Sequence, residues 1–335
     1  MYSTHHLRYL RVEKMEKKSP RNKTITLSAA DRERLQPLVL HPAVPCSEAD
    51  VENRVIGGDL FEMLDRVPDG VADLIIADPP YNLDKQFGSN SFAARSRREY
   101  VAYLRSWLPA VCRKLSPGGS LYVCCDWGSS SAVEEVLGEN LTILNRITWQ
   151  REKGRGAAHN WKNGMEDIWF AVADPEHYTF NLDAVKQKRR VLAPYRDKSG
   201  PRDWQQEGET KYRATCPSNL WDDITIPYWS MAENTPHPTQ KPEKLIAKLI
   251  LASSNEGDLV FDPFGGSGTT AVVAKKLGRR FCTVEIEEEY CLLALRRLEM
   301  AEEDGSIQGY TDGCFWERNS TVAQISAKRK KANKR

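Results

Sequence analysis

Four consecutive residues, Asp78-Pro79-Pro80-Tyr81, set an acid, a stiff turn and an aromatic ring directly after the apolar run 71–77. Such a set suits chemistry on an exocyclic amine. The lone pair of that nitrogen is delocalised into its ring, and an acceptor on each amino hydrogen localises it and aims it. The Asp78 carboxylate and the Pro79 carbonyl supply two acceptors, while the two prolines hold the turn rigid. Tyr81 offers a face on which a planar base removed from its stack can rest. A Pro-rich turn after a strand would account for the prolines alone.

The second constellation is Val-Phe-Asp-Pro-Phe-Gly-Gly-Ser-Gly-Thr-Thr over residues 260–270. A strand ends in Asp262, a Gly-rich turn follows and a helix begins. Glycines let the backbone approach a ligand closely, and a helix N-terminus presents free N–H groups. Glu285 closes the next strand, 280–285, where an acid can hold the two hydroxyls of a ribose. No Lys follows the glycines, so this is no phosphate-cradling P-loop, and the GxGxxG spacing is not met. An adenosine-bearing ligand without pyrophosphate remains, and S-adenosyl-L-methionine fits. A tight strand-to-helix turn explains one or two glycines but requires neither acid.

Together these motifs resemble the DNA amino-methyltransferases that act on adenine N6 or cytosine N4. The catalytic motif precedes the cofactor motif with a variable region between, as in the permuted beta group of that family, and the likeness spans roughly residues 53–300. It implies an α/β, Rossmann-like S-adenosylmethionine-dependent methyltransferase sheet with circularly permuted motif order and an inserted target-recognition region. It assigns catalysis to Asp78, Pro79, Pro80 and Tyr81. Cofactor contacts fall to Asp262, Phe264, Gly265, Gly266, Ser267, Gly268, Thr269 and Glu285. The segment His237-Pro-Thr-Gln-Lys-Pro242 matches the one the family places before the cofactor strand, which adds Thr239 and Lys241 at the methionine end. His237 there is either a ligand or a turn histidine. Asp59, in Gly58-Asp59-Leu60, either meets the cofactor adenine or caps the following helix. Residues 116–120, Ser-Pro-Gly-Gly-Ser, resemble a structural element without chemistry. Trp149 either lines the base pocket or belongs to the core.

The family also places a DNA cleft at the loop 151–164, which carries Lys153 and Arg155. The recognition surface would hold Lys186, Lys188, Arg189, Arg190, Arg196, Lys198 and Arg202, lysines for phosphate and arginines able to read guanine. DPPY, as opposed to SPPY, leans toward adenine, so the resemblance implies methyl transfer to adenine N6 of double-stranded DNA, with cytosine N4 as the alternative. The amine is itself the nucleophile, so no covalent enzyme intermediate is needed. An RNA or protein amide methyltransferase would usually place the cofactor motif first and carry NPPY. A non-enzymatic DNA-binding module would explain the basic patches but not the two motifs. The expected setting is cytoplasmic, with no metal and no membrane span, as a monomer or homodimer, with a cognate restriction endonuclease as a possible partner.

These motifs need elements to hold them. Strands are expected at 53–57, 71–78, 120–125, 141–149, 167–173, 259–261 and 280–285. Helices are expected at 100–115, 242–253, 270–277 and 288–301, with Pro117-Gly118-Gly119 stopping the first of these. Residues 1–52 read as a polar basic extension holding one short helix near 28–35. Residues 53–182 and 236–305 read as the catalytic and cofactor halves of one domain, 183–235 as the recognition insert and 306–335 as a basic tail. The net charge of +2 is a cancellation. Seven Lys or Arg stand against one acid in 186–202 and six bases against none in 328–335, with eight acids in 285–304. Basic patches of this kind suit a polyanion partner.

Overall fold

The computed structural model describes residues 19–151, 159–191, 196–198, 200–201, 204–207 and 210–316. The Ser28 hydroxyl accepts from the Asp31 N–H and the Asp31 carboxylate from the Ser28 N–H, the capping box that starts α1 (Ala29–Leu35). Then come α2 (Glu48–Val51), β1 (Arg54–Gly57), α3 (Leu60–Met63) and the apolar β2 (Ala72–Ala77). The hairpin β3 (Lys85–Phe87) and β4 (Asn90–Phe92) leads to α4 (Arg97–Cys112), which buries Tyr100, Leu104, Trp107, Leu108 and Val111 at helical spacing. β5 (Leu115–Asp126), α5 (Ser130–Gly138), β6 (Thr142–Gln150) and β7 (Met165–Val172) complete this half.

Six short strands follow: β8 (Gln187–Arg190), β9 (Arg196–Asp197), β10 (Gly200–Pro201), β11 (Gln205–Glu207), β12 (Thr210–Thr215) and β13 (Leu220–Trp221). The chain then forms α6 (Glu243–Ser253), β14 (Leu259–Asp262), α7 (Thr269–Lys276), β15 (Arg280–Glu285) and α8 (Glu288–Glu303). It ends in β16 (Tyr310–Thr311) and β17 (Cys314–Trp316).

The main sheet has the order β1-β15-β14-β2-β5-β7-β6-β13, and only β7 runs against its neighbours. β14 leads through α7 to β15 on one side, and β2 leads through α4 to β5 on the other. The two strands that start opposite crossovers therefore lie side by side, with Val260 opposite Leu74 and Phe261 opposite Ile75. Such a switch point opens a crevice at the carboxyl ends of the strands. Here those ends are Asp262 and, one residue past Ala77, Asp78. Buried side chains fill both faces of the parallel part of the sheet, β1-β15-β14-β2-β5, as such pairing requires, whereas β6 is largely exposed.

The structure differs from the sequence expectations in several places. Pro117-Gly118-Gly119 does not stop α4, which already ends at Cys112; Leu115 pairs with Ala72 and the strand runs on through the glycines, with a register shift opposite 72–74. A Cβ at Gly119 would meet the Ala72 carbonyl at 3.0 Å, so the glycine is what lets the bulged strand stay close. Residues 19–52 are no loose extension: Leu35 is fully buried, Leu40 bridges to Ile56, and Arg32 and Gln36 bond Glu289 and Glu288 of α8. The polar stretch 85–92 is a hairpin. A single side chain explains its order: Glu287 Oε1 accepts from the backbone and side chains of Ser89 and Asn90 at 2.6–2.9 Å.

The stretch read as an irregular insert builds a second sheet, β11-β12-β8-β17-β16, whose last two strands come from beyond residue 305. Phe315 pairs with Gln187 and its side chain is wholly buried. Beneath it the Lys248 ammonium sits 4.8 Å from the Trp221 ring and 5.6 Å from that of Phe315, bonded to Asp223 at 3.0 Å. Lys244 reaches the same carboxylate at 2.5 Å and the Trp316 carbonyl at 2.6 Å. Burial holds Lys248 down to about 8, opposed by the Asp223 charge. These contacts fasten the small sheet to α6. No helix among the described residues is long and apolar enough to cross a membrane. Phe315→Ala is expected to lower stability by about 3–5 kcal/mol in urea denaturation, a loss that a dispensable tail would not show.

Candidate active site

A cavity of about 360 Å³ opens at the switch point and takes side chains from both halves of the chain. Asp78, Pro80 and Tyr81 enter it from the end of β2, Phe264 and Gly266 from the turn after β14, and Glu285 from the end of β15. Thr239 and Lys241 come from the loop before α6, and Asp59 from the start of α3. Pro79 is buried and is not among the lining residues. The Tyr100 hydroxyl donates to the Pro80 carbonyl at 3.2 Å and ties the proline turn to α4.

Asp78 is the centre of a buried charge cluster. Its Oδ1 accepts from the Tyr81 hydroxyl at 2.8 Å and its Oδ2 from the Lys241 ammonium at 2.6 Å. Lys241 lies 3.0 Å from the Tyr81 oxygen and 3.4 Å from Glu166, and Glu166 is held by Arg151 at 2.6 Å. Only 7% of Lys241 and 4% of Glu166 is exposed. Burial raises the Asp78 pKa and Lys241 opposes it; burial pulls Lys241 down, but the Asp78 and Glu166 charges outweigh it and the net shift is upward. Burial and the same two carboxylates raise the Tyr81 phenol, which stays protonated. The resemblance places Lys241 at the methionine end of the cofactor; the structure places its ammonium on the Asp78 carboxylate. Glu166 and Arg151 carry no motif, although an acid pair, Glu166-Asp167, opening the buried run 168–172 is a signal in its own right.

The glycine turn has two faces. Gly266, at φ +50°, looks into the cavity, and a Cβ there would come 3.0 Å from His237 Nε2. Gly265 and Gly268 serve packing: a Cβ would overlap Thr283 of β15 in the first case and Ala294 of α8 in the second, where φ is +77°. Ser267 and Thr269 also face away from the cavity, because the buried Arg297 guanidinium draws in the Ser267 carbonyl and the Thr269 hydroxyl, both at 2.9 Å. These four residues, read as cofactor contacts, thus shape the turn from behind. Asp262 lies behind as well, accepting from the Phe264 N–H at 2.9 Å, and burial pushes it up to about 7.

Glu285 braces the turn. Its Oε2 accepts from Gly266 N–H at 2.7 Å and its Oε1 from Glu287 N–H at 2.8 Å, which leaves acceptor capacity on both oxygens. Beside it stand the half-exposed side chains of Ile286 and Phe61, and Phe264 packed edge-on to Trp107 at 4.9 Å. Asp59 caps α3, its carboxylate accepting from the Phe61 N–H at 2.8 Å, and also lines the cavity. His237 packs on Tyr290 with ring centres 4.5 Å apart, and burial holds it down to about 4, so it is neutral near pH 7. Trp149 is core and lining at once: buried, with its indole N–H on the Ile224 carbonyl at 3.0 Å. A carboxylate with spare lone pairs, apolar side chains next to it and a glycine without a Cβ fit an adenosine. Among the described residues, no three His, Cys, Asp or Glu side chains gather as a metal cage.

Of the basic residues read as a recognition surface, Lys186 pairs with Asp183 at 2.6 Å and Lys188 lies 5.0 Å from both the Tyr212 and Trp316 rings. Arg189 and Arg190 are exposed on β8 and Lys198 is exposed on the turn after β9. Arg196 contributes backbone to β9, and its side chain lies outside the described residues, as do Lys153, Arg155 and Arg202.

Fold and site together define a nucleotide-binding α/β transferase with its reactive cluster at a switch point. Residues 72–296 match the DNA methylase family. The DNA adenine methyltransferase YhdJ of Escherichia coli (strain K12) is 36% identical over 253 residues, which is 74% of this chain and 83% of that one. The type II methyltransferase M.HpaI of Haemophilus parainfluenzae is 33% identical over 251 residues, 74% of this chain and 75% of that one. Among solved structures, the M1.HpyAVI–SAM complex aligns with a TM-score of 0.50 at 25% identity, over 73% of this chain and 98% of that one. The cytosine-N4-specific PvuII DNA methyltransferase shares the fold, with a TM-score of 0.54 at 22% identity over 77% and 88%. The chain belongs to the DNA methylase family.

The raised Asp262 pKa predicts a pH dependence of folding. Between its unfolded value near 3.8 and about 7 the folded state binds the extra proton, so stability should fall as pH rises across that window and level off above it. Asp262→Asn should remove that contribution from stability curves measured by urea denaturation at several pH values.

Proposed function

We propose that this protein is a site-specific DNA methyltransferase that transfers a methyl group from S-adenosyl-L-methionine to adenine N6 in double-stranded DNA. The observation that carries this is Asp78 just past the end of β2, half-buried, paired with Lys241 and beside Tyr81, in the cavity that Glu285 and Gly266 also line. When bound, the cofactor supplies an electrophilic methyl group on a sulfonium. Glu285 would hold its ribose hydroxyls, Phe264 and Ile286 its adenine, with Asp59 at the adenine amino group and Thr239 toward the methionine end.

DNA would bind through the exposed bases of the small sheet, and the target base would leave the helix at a cost of a few kcal/mol, roughly. The Tyr81 ring receives it. The Asp78 carboxylate and the Pro79 carbonyl accept the two amino hydrogens, which localises the nitrogen lone pair along the line of attack. Asp78 then takes the proton that the amine loses. The names of the two curated relatives quoted above support adenine in one case and a type II methyltransferase in the other. In this setting the enzyme works in the cytoplasm as a monomer or homodimer, alone or beside a cognate endonuclease.

Labelled methyl donor and duplex DNA, followed by digestion and mass analysis of the nucleosides, should yield N6-methyladenine. N4-methylcytosine alone would reject the adenine assignment, and label in RNA but not in duplex DNA would reject DNA as substrate. Asp78→Ala should lower turnover by about a hundredfold or more. DNA affinity should fall steeply with salt if the basic segments contact phosphate, and a flat response would remove them from the interface.

A further inference from the structure

Both oxygens of Asp78 are occupied before any substrate arrives, Oδ1 by the Tyr81 hydroxyl at 2.8 Å and Oδ2 by Lys241 at 2.6 Å. An amine that uses this carboxylate as its acceptor therefore competes with a hydrogen bond already made. Expelling the Tyr81 hydroxyl from Asp78 without another partner to receive it would offset what the amine gains.

A second acceptor is in place. Glu166 Oε2 lies 3.1 Å from the Tyr81 oxygen, and Lys241 donates to that oxygen at 3.0 Å, so the single phenolic proton faces two carboxylates. The other oxygen of Glu166 is fixed by Arg151 at 2.6 Å. The cluster is balanced in charge, Asp78 and Glu166 against Lys241 and Arg151, so moving one hydrogen bond leaves no charge uncompensated.

We propose that Glu166 is a positioning residue for methyl transfer: it takes over the Tyr81 hydroxyl when the target amine binds, and so frees Asp78 Oδ1 for the amino hydrogen. The proton of Tyr81 only turns between acceptors; no bond is made or broken in this step. The inference rests on Asp78 being the acceptor of the amine. Glu166→Gln disables the exchange at nearly constant shape. The Gln oxygen is claimed by Arg151, its NH₂ group then faces Tyr81, and a donor there holds the phenolic proton on Asp78.

The test is a double-mutant cycle on the single-turnover methylation rate with labelled S-adenosylmethionine and duplex DNA. Glu166→Gln should slow the Tyr81 enzyme about tenfold while the equilibrium affinity for S-adenosylmethionine stays within about twofold. In a Tyr81→Phe background, where no hydroxyl has to move, Glu166→Gln should cost less than about twofold. An equal loss in both backgrounds, or no loss in either, overturns the proposal. If Glu166→Gln fails to bind the methyl donor, Glu166→Asp replaces it in the cycle; its retracted carboxylate should give a smaller loss that Tyr81→Phe again erases, and a loss that Tyr81→Phe leaves intact overturns the proposal. Asp78→Ala separates the two levels. Full activity there removes the amine-acceptor role, whereas an inactive Asp78→Ala with an additive cycle removes only the role of Glu166.

Discussion

The parallel pairing of β2 with β14 is the constraint on which the site depends. These strands are separated by nearly the whole catalytic half and the small sheet, yet they sit adjacent because their crossovers leave in opposite directions. Their carboxyl ends then face one crevice, and Asp78, Lys241, Gly266 and Glu285 meet without any of them being close in sequence. Tying the Asp78 carboxylate to a buried strand end gives it a fixed direction, because Ala77 and the proline turn leave little freedom on either side.

Charge sets the second condition. A carboxylate taken out of water drifts toward its neutral form unless a cation stays near, and a neutral Asp78 would accept an amino hydrogen poorly. Lys241 supplies that cation from the loop before α6, and Glu166 with Arg151 keeps the cluster balanced. The same loop is braced by Gln240, which accepts from Thr235 and donates to the Glu233 carbonyl, so the lysine arrives on a held backbone.

What could be read in the sequence was what is encoded locally. The Ser28–Asp31 capping box, the apolar strands of the main sheet and the two motifs depend on neighbours a few residues away, and their positions follow from spacing. What could not be read depends on distant partners. The hairpin 85–92 looks like a polar loop because the acid that orders it, Glu287, comes some two hundred residues later. The place of Lys241 in its motif suggests a cofactor residue but does not reveal that its ammonium turns to Asp78, 163 residues away in the chain. The glycine turn misled in a similar way: Gly265 and Gly268 are demanded by Thr283 and Ala294 on elements packed behind it, whereas Gly266 alone of the three opens into the cavity. Lys188, counted among the bases facing DNA, spends its charge on two aromatic rings, one of them from β17.

That last strand has a bearing on how the small sheet can be exchanged. The small sheet is woven from two stretches of chain, because β17 lies between β8 and β16 and is locked to α6 through Phe315, Trp316, Asp223, Lys244 and Lys248. The small sheet is therefore a unit that is discontinuous in sequence. A transplanted stretch that ends before α6 would arrive with one edge of its sheet exposed and two buried lysines deprived of their aromatic lid. Exchange of the small sheet by recombination must carry residues 310–316 along, or preserve their fit, and this couples the evolution of the chain's far end to that of its middle.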